Sequence, residues 1–148
     1  MSAMPWWMGG LVALLTVSLV LLVVWARRGR DAARRHLTEI AGGRTPKRQS
    51  PAQSFGLLSK GAAQWRGAGY LALFDDELVF VQAIASNHVR AKLSDIVAVT
   101  TPRSFLGKTQ GVKLLAIEWT VGAGATEQVA LRVPDLDSWV EDLSRTSH

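Results

Sequence analysis

From Pro5 to Ala26 no side chain ionises, and Leu11–Trp25 is almost wholly aliphatic. A helix of about 22 residues rises about 33 Å at 1.5 Å per residue, slightly more than the roughly 30 Å of a hydrocarbon core. The pattern therefore predicts one membrane-spanning helix. Trp6 and Trp7 stand at one end of the run and Trp25 at the other. Indole rings prefer the headgroup boundary, so all three are candidate membrane anchors. Gly9-Gly10, without a spaced small-residue motif, reads as part of a lipid-facing helix end.

Beyond residue 53 the period shortens. Gly69-Tyr70-Leu71-Ala72-Leu73-Phe74 and Leu78-Val79-Phe80-Val81 are apolar runs joined by Asp75-Asp76-Glu77. Two such runs across a short acidic turn predict a β-hairpin. Both faces of the pair are apolar, which places it deep in the sheet. Val89, Ala91 and Leu93 alternate with His88, Arg90 and Lys92, as in a half-buried strand. Ser94-Asp95 turns the chain into Ile96–Val99. Leu115, Ile117, Trp119 and Val121 form a long alternating strand, and Gly122-Ala123-Gly124 joins it to Val129, Leu131 and Val133. Ser54–Trp65 is weakly patterned and reads as a first strand or an ordered lead-in.

The period then changes again. Leu136, Trp139, Val140 and Leu143 fall at i, i+3, i+4 and i+7, the stripe of an amphipathic helix. Asp135 and Asp137 sit where a helix N-terminus favours negative charge. This stripe must bury against the strands. The expected architecture is mainly β: an antiparallel sheet with a C-terminal helix packed over its open end, behind one transmembrane helix. Three segments follow: an anchor at 1–26, a basic juxtamembrane connector at 27–53 and a folded domain at 54–145. In the connector, residues 27–40 are able to continue as helix, Gly42-Gly43 ends it, and Thr45-Pro46 to Ser50-Pro51 reads as irregular linker.

Charge sharpens this division. The net charge of the chain is +5, but Arg27–Arg48 holds eight basic residues against Asp31 and Glu39. From Gln49 onward nine basic residues face ten acidic ones, so the folded part is close to neutral. A nucleic-acid-binding domain would carry the basic surface itself, and that class is set aside. Arg27, Arg28, Arg30, Arg34 and Arg35 follow the span and nothing basic precedes it. The positive-inside rule then places the N-terminus outside a cell membrane and the domain in the cytoplasm. A cleaved signal peptide would need a positive n-region and small residues before a cut, and both are missing. The same arginines should attract an anionic leaflet, although topology alone already requires them.

The segments from Gly69 to Val81 and from Lys92 to Val99 carry a family resemblance. Gly69-Tyr70-Leu71-Ala72-Leu73-Phe74 through Leu78-Val79-Phe80 is similar to the "G-x-L-x-L-T-x-x-x-L-x-F" strand pair of the pleckstrin-homology (PH) superfold. Lys92-Leu93-Ser94-Asp95-Ile96-Val97-Ala98-Val99 resembles its "I-x-L-x-D-I-x-x-V" element. Phe105-Leu106-Gly107-Lys108 before Leu114–Trp119, and Trp139 with Leu143, also fit its GRAM-like and bacterial PH-like members. Phe74 departs from the pattern, standing where the family often has Thr or Ser. Over about residues 55–145 the resemblance implies about seven strands in a strongly bent sheet or barrel, capped by one helix. It implies no ligand.

Candidate chemistry is sparse. The chain has no cysteine, which removes disulfides, thiolate nucleophiles and Cys-ligated zinc. His36, His88 and His148 show no metal-ligand spacing, and Asp75-Asp76-Glu77 is explained more simply by a turn than by a cation site. No Gly-rich phosphate loop and no nucleophile constellation is present. The expectation is a non-enzyme without cofactor or metal. One loop remains, Arg103 to Lys108, whose Arg103, Phe105 and Lys108 are candidates for touching a headgroup or a partner; an ordinary solvated loop with Phe105 in the core is the equal alternative. The expected function is a membrane-tethered module that binds a partner protein at the cytoplasmic face. An anionic-lipid sensor and a structural subunit of a larger membrane assembly are the alternatives.

Overall fold

Helix α1 runs unbroken from Trp6 to Ala41, 36 residues. It belongs to a computed structural model that describes residues 6–60, 65–84, 87–109 and 111–146. The side chains of Trp6 and Trp7 lie outside the described residues. Within α1 the stretch from Met8 is long and apolar enough to cross a membrane, and none of its most apolar window is buried against the rest of the protein. Gly42 ends the helix in the left-handed conformation at φ 58°, and its N–H returns to the Glu39 carbonyl at 3.2 Å. A glycine adopts this turn without the clash a Cβ would bring.

The remainder is an antiparallel sheet of seven strands with a short hairpin and one further helix. The strands are β1 (Arg48–Leu57), β2 (Trp65–Leu73), β3 (Glu77–Gln82), β4 (His88–Lys92), β5 (Ile96–Thr100), β8 (Leu115–Val121) and β9 (Ala125–Arg132). The hairpin pairs β6 (Ser104–Phe105) with β7 (Lys108–Thr109), and α2 spans Leu136–Thr146. Sheet order is β4-β3-β2-β1-β9-β8-β5, so the sheet stays open with β4 and β5 at its edges. The expected strand pairs and C-terminal helix are all found; closure into a barrel is not.

Thr45–Pro51 is not the irregular linker that its polar residues and prolines suggested. Strand β1 begins at Arg48 and pairs with β2 from Arg48↔Leu73 to Phe55↔Arg66. Pairing with β9 starts only at Gln53. Pro51 therefore lies where β1 has no partner on its β9 side, and its missing N–H forfeits no ladder bond there.

Strand β3 is buried at all six positions, which follows from two separate coverings. On one face Leu71, Leu73, Leu78 and Phe80 join Leu115, Ile117, Leu131, Trp139 and Leu143 in the main core. Helix α2 closes this core through Trp139 and Leu143, as its stripe predicted. The Trp139 indole N–H donates to the Ser50 hydroxyl at 3.2 Å, and Arg48 pairs with Asp142. On the other face Ala72, Phe74, Val79 and Val81 meet Leu37 and Ala41 of α1. The connector helix is thus a second cover on the sheet. Full burial of one leucine of this kind contributes roughly 1.5–3 kcal/mol.

Gly69 is required for space. A Cβ there would lie 2.1 Å from the Val81 carbonyl oxygen and 2.8 Å from the Phe80 ring. Gly69→Ala should lower the unfolding free energy by about 1–3 kcal/mol, since strand backbone must shift to admit it. Chemical denaturation of the two proteins checks this, and equal midpoints would refute it.

Candidate functional site

The Asp75-Asp76-Glu77 segment splits into two roles. Asp75 and Asp76 form the exposed tip of the β2–β3 hairpin, and the Phe74 N–H donates to the Glu77 carbonyl at 2.8 Å. Glu77 is a strand residue and only 5% exposed. Its carboxylate accepts from Arg90 Nε at 2.9 Å and Nη2 at 2.8 Å, and it also pairs with Arg44. Arg44 reaches Asp76 at 2.9 Å and lies 4.7 Å from the Phe74 ring centroid. The Arg90 hydrogen bonds hold the Glu77 carboxyl below the ordinary carboxylate range against the opposing effect of burial, and Arg44 adds to them. The cluster ties the end of α1 to β3 and β4. It acts as a structural lock, with both arginines committed to the buried Glu77 carboxylate.

At the opposite end of the α1–sheet contact lies a groove of about 880 Å³. Helix α1 supplies Trp25, Ala26, Arg28, Gly29 and Arg30 along one wall. Pro51–Gln53 of β1, Ala68-Gly69 of β2, Ala83-Ile84 after β3, Arg132 at the end of β9 and Val133-Pro134 after it supply the rest. The helix comes close to the sheet here: a Cβ on Gly29 would touch Ala83 Cβ at 3.7 Å. The lining is mostly apolar, with three arginines and no acidic residue. Ile84 is 75% exposed, an unburied aliphatic side chain at the mouth.

The expected site residues fall in different places. Trp25, Arg28 and Arg30 line the groove; Arg27, Arg34 and Arg35 are exposed elsewhere on α1. Arg30 Nε donates to the Ala26 carbonyl and Arg35 Nε to that of Asp31, each at 3.3 Å. Arg103 and Lys108 are exposed on the β6–β7 hairpin. Of the two readings of Phe105, contact residue or core residue, its burial at 8% exposure fits the second. It packs with Phe55, Leu114 and Ala130 in a small satellite core, because the hairpin folds down over β1 and β9. The large apolar side chain left exposed at that tip is Leu106, held at φ 49°.

Two features escaped the sequence altogether. Nothing in the local sequence around Arg132 announces that β9 brings it beside α1. His36 and His88, far apart in the chain, stand with ring centroids 6.0 Å apart, and the buried Nε2 of His36 has no hydrogen-bond partner. Among the described residues no three His, Cys, Asp or Glu side chains gather as a metal site would require.

No protein-family model matches this chain. No curated protein matches it either. Among solved structures it is similar to the crystal structure of the C-terminal domain of an unknown protein from Leishmania infantum. The identity is 17%, the TM-score 0.52, and the match covers 77% of this chain and 93% of that one. At that identity the likeness is one of fold alone.

Proposed function

We propose that this chain is a membrane-tethered, PH-like interaction module that presents its sheet domain to a partner protein at the cytoplasmic face. One observation carries the reading: α1 passes without a break from the apolar span into the apolar outer face of β2 and β3. A flexible tether would leave a domain free to tumble. A continuous helix sets its height and orientation. The sheet order with its capping C-terminal helix supports the PH-like assignment beside the strand-pair resemblance. The arginines from Arg27 to Arg35 support the cytoplasmic orientation.

With one face under α1 and the other under α2, the edge strands β4 and β5 are left for pairing, and β5 carries an exposed aliphatic side chain. Its Val97 is 57% exposed. Free edges are the usual template for an added strand. The cysteine-free chain suits a labelling test. Thr120→Cys should react with an impermeant maleimide only after the cytoplasmic side is opened. A photo-crosslinker at Val97 should give one discrete protein adduct in intact membranes, and one at Thr38 on the exposed side of α1 should give none. Labelling from outside, or no adduct at Val97, would defeat the proposal.

A further inference from the structure

We infer that the groove between the foot of α1 and the sheet binds one anionic phospholipid drawn from the adjoining leaflet. The inference rests on reading α1 as a membrane span, and its ligand is distinct from the protein partner proposed for β5. Location comes first. Trp25 and Ala26, the last residues of the apolar run, form part of the wall. From there to Ala41 the helix climbs about 24 Å at 1.5 Å per residue. The groove therefore opens at the level of the headgroups, while the Glu77 lock sits at the far end of the contact.

Chemistry comes second. A lipid has an apolar chain and an anionic phosphate, and the groove offers both complements. Pro51, Ala52, Ala68, Ala83, Ile84 and Val133 give an apolar floor continuous with the hydrocarbon side of Trp25. Arg28, Arg30 and Arg132 flank it, and none of the three makes an ion pair among the described residues. At the lock the pattern is reversed, with Arg44 and Arg90 both committed to Glu77. Arginine is the side chain whose planar fork fits a phosphate bidentately. Three of them around an apolar groove, with no acid in the lining, call for an anion attached to something apolar. The volume, about 880 Å³, is of the size that holds a substantial organic ligand.

The site differs from a general attraction of the basic connector for anionic membranes. Arg132 belongs to β9, far along the chain from the arginines of α1, and only the fold brings it to the groove. It contributes nothing to topology, so its substitution separates binding from insertion.

The test uses the full chain in a mild detergent, with equal amounts of phosphatidylglycerol and phosphatidylcholine, read by native mass spectrometry. Carbonate extraction of the source membranes accompanies it. The expected result is a one-to-one adduct with phosphatidylglycerol in preference to phosphatidylcholine. Arg132→Gln should weaken that adduct by about tenfold, the worth of one charge-assisted contact. Ala68→Trp, which fills the groove without changing charge, should weaken it as much. Arg103→Gln/Lys108→Gln, on the hairpin, should leave it unchanged. An adduct indifferent to headgroup, one that survives both groove substitutions, or one lost equally in the hairpin variant would overturn the inference alone. Extraction of the wild-type chain by carbonate would overturn the span reading and the inference with it.

Discussion

Leu37→Asp should peel α1 off the sheet while leaving the apolar span where it is. Leu37 is 3% exposed and packs with Ala41 against Ala72, Phe74, Val79 and Val81. Loss of a buried leucine costs about 2–5 kcal/mol when only a cavity is left. An aspartate adds an unpaired carboxylate among apolar groups, which takes the expected cost to the top of that range or beyond. A helix undocks more cheaply than a seven-stranded sheet unfolds, so the domain keeps its strands and the 27–41 extension frays. Amide exchange of residues 33–41 in detergent-solubilised full chain should accelerate by at least about a hundredfold, the equivalent of roughly 3 kcal/mol. Thr38→Asp, on the exposed side of the same turn, should change stability by less than about 0.5 kcal/mol. Unchanged protection of residues 33–41 in the Leu37 variant would mean that the docked helix contributes nothing to the domain. The uncovered face of β2 and β3 should also make the variant prone to associate, because it joins four apolar side chains in one patch.

Glu77→Ala is the second large effect. Removal of the carboxylate leaves Arg90 without its partner and Arg44 with only the exposed Asp76, two like charges that Glu77 now bridges. Both guanidinium groups keep substantial access to water, with side chains 39% and 48% exposed, so the cost falls short of that for a fully buried pair. The expected loss is about 2–3 kcal/mol, between the values for exposed and buried ion pairs. Glu77→Gln should lose less, because an amide oxygen still accepts from one arginine. The same carboxylate sets a pH dependence. Its folded pKa lies below its ordinary value of 4.5, held down first by the Arg90 hydrogen bonds. The unfolded chain therefore takes up the proton first, and the contribution is complete above that value and lost as pH falls below it. Denaturation midpoints measured from pH 7 to pH 3 should drop more steeply for the wild type than for Glu77→Gln. Parallel curves would mean that Glu77 adds no acid sensitivity.

Much of the architecture was legible from local pattern. The apolar run, the alternation at 115–121 and the i, i+3, i+4, i+7 stripe at Leu136–Leu143 each encode an element through the period of its own backbone. The first half of β1, Arg48–Gln53, escaped because most of it pairs on one side only, so Pro51 and polar neighbours are tolerated where a central strand would exclude them. Glu77 read as part of a turn because acidic neighbours disguised it. Its burial depends on Arg44 and Arg90, 33 and 13 positions away. Whether Phe105 faces outward or packs inward stayed open in the sequence, because its partners Phe55 and Ala130 come from distant strands.

The sequence by itself determined that a single apolar helix precedes a mainly antiparallel domain closed by an amphipathic helix, since side-chain periodicity and backbone geometry are both local properties. Only the tertiary structure decided what covers the second apolar face of β2 and β3, that Glu77 locks the connector helix to the sheet, and that Arg132 stands with Arg28 and Arg30 around one groove. Those outcomes rest on contacts between segments far apart in the chain, and the polarity pattern of a segment records that a face is buried without recording what buries it.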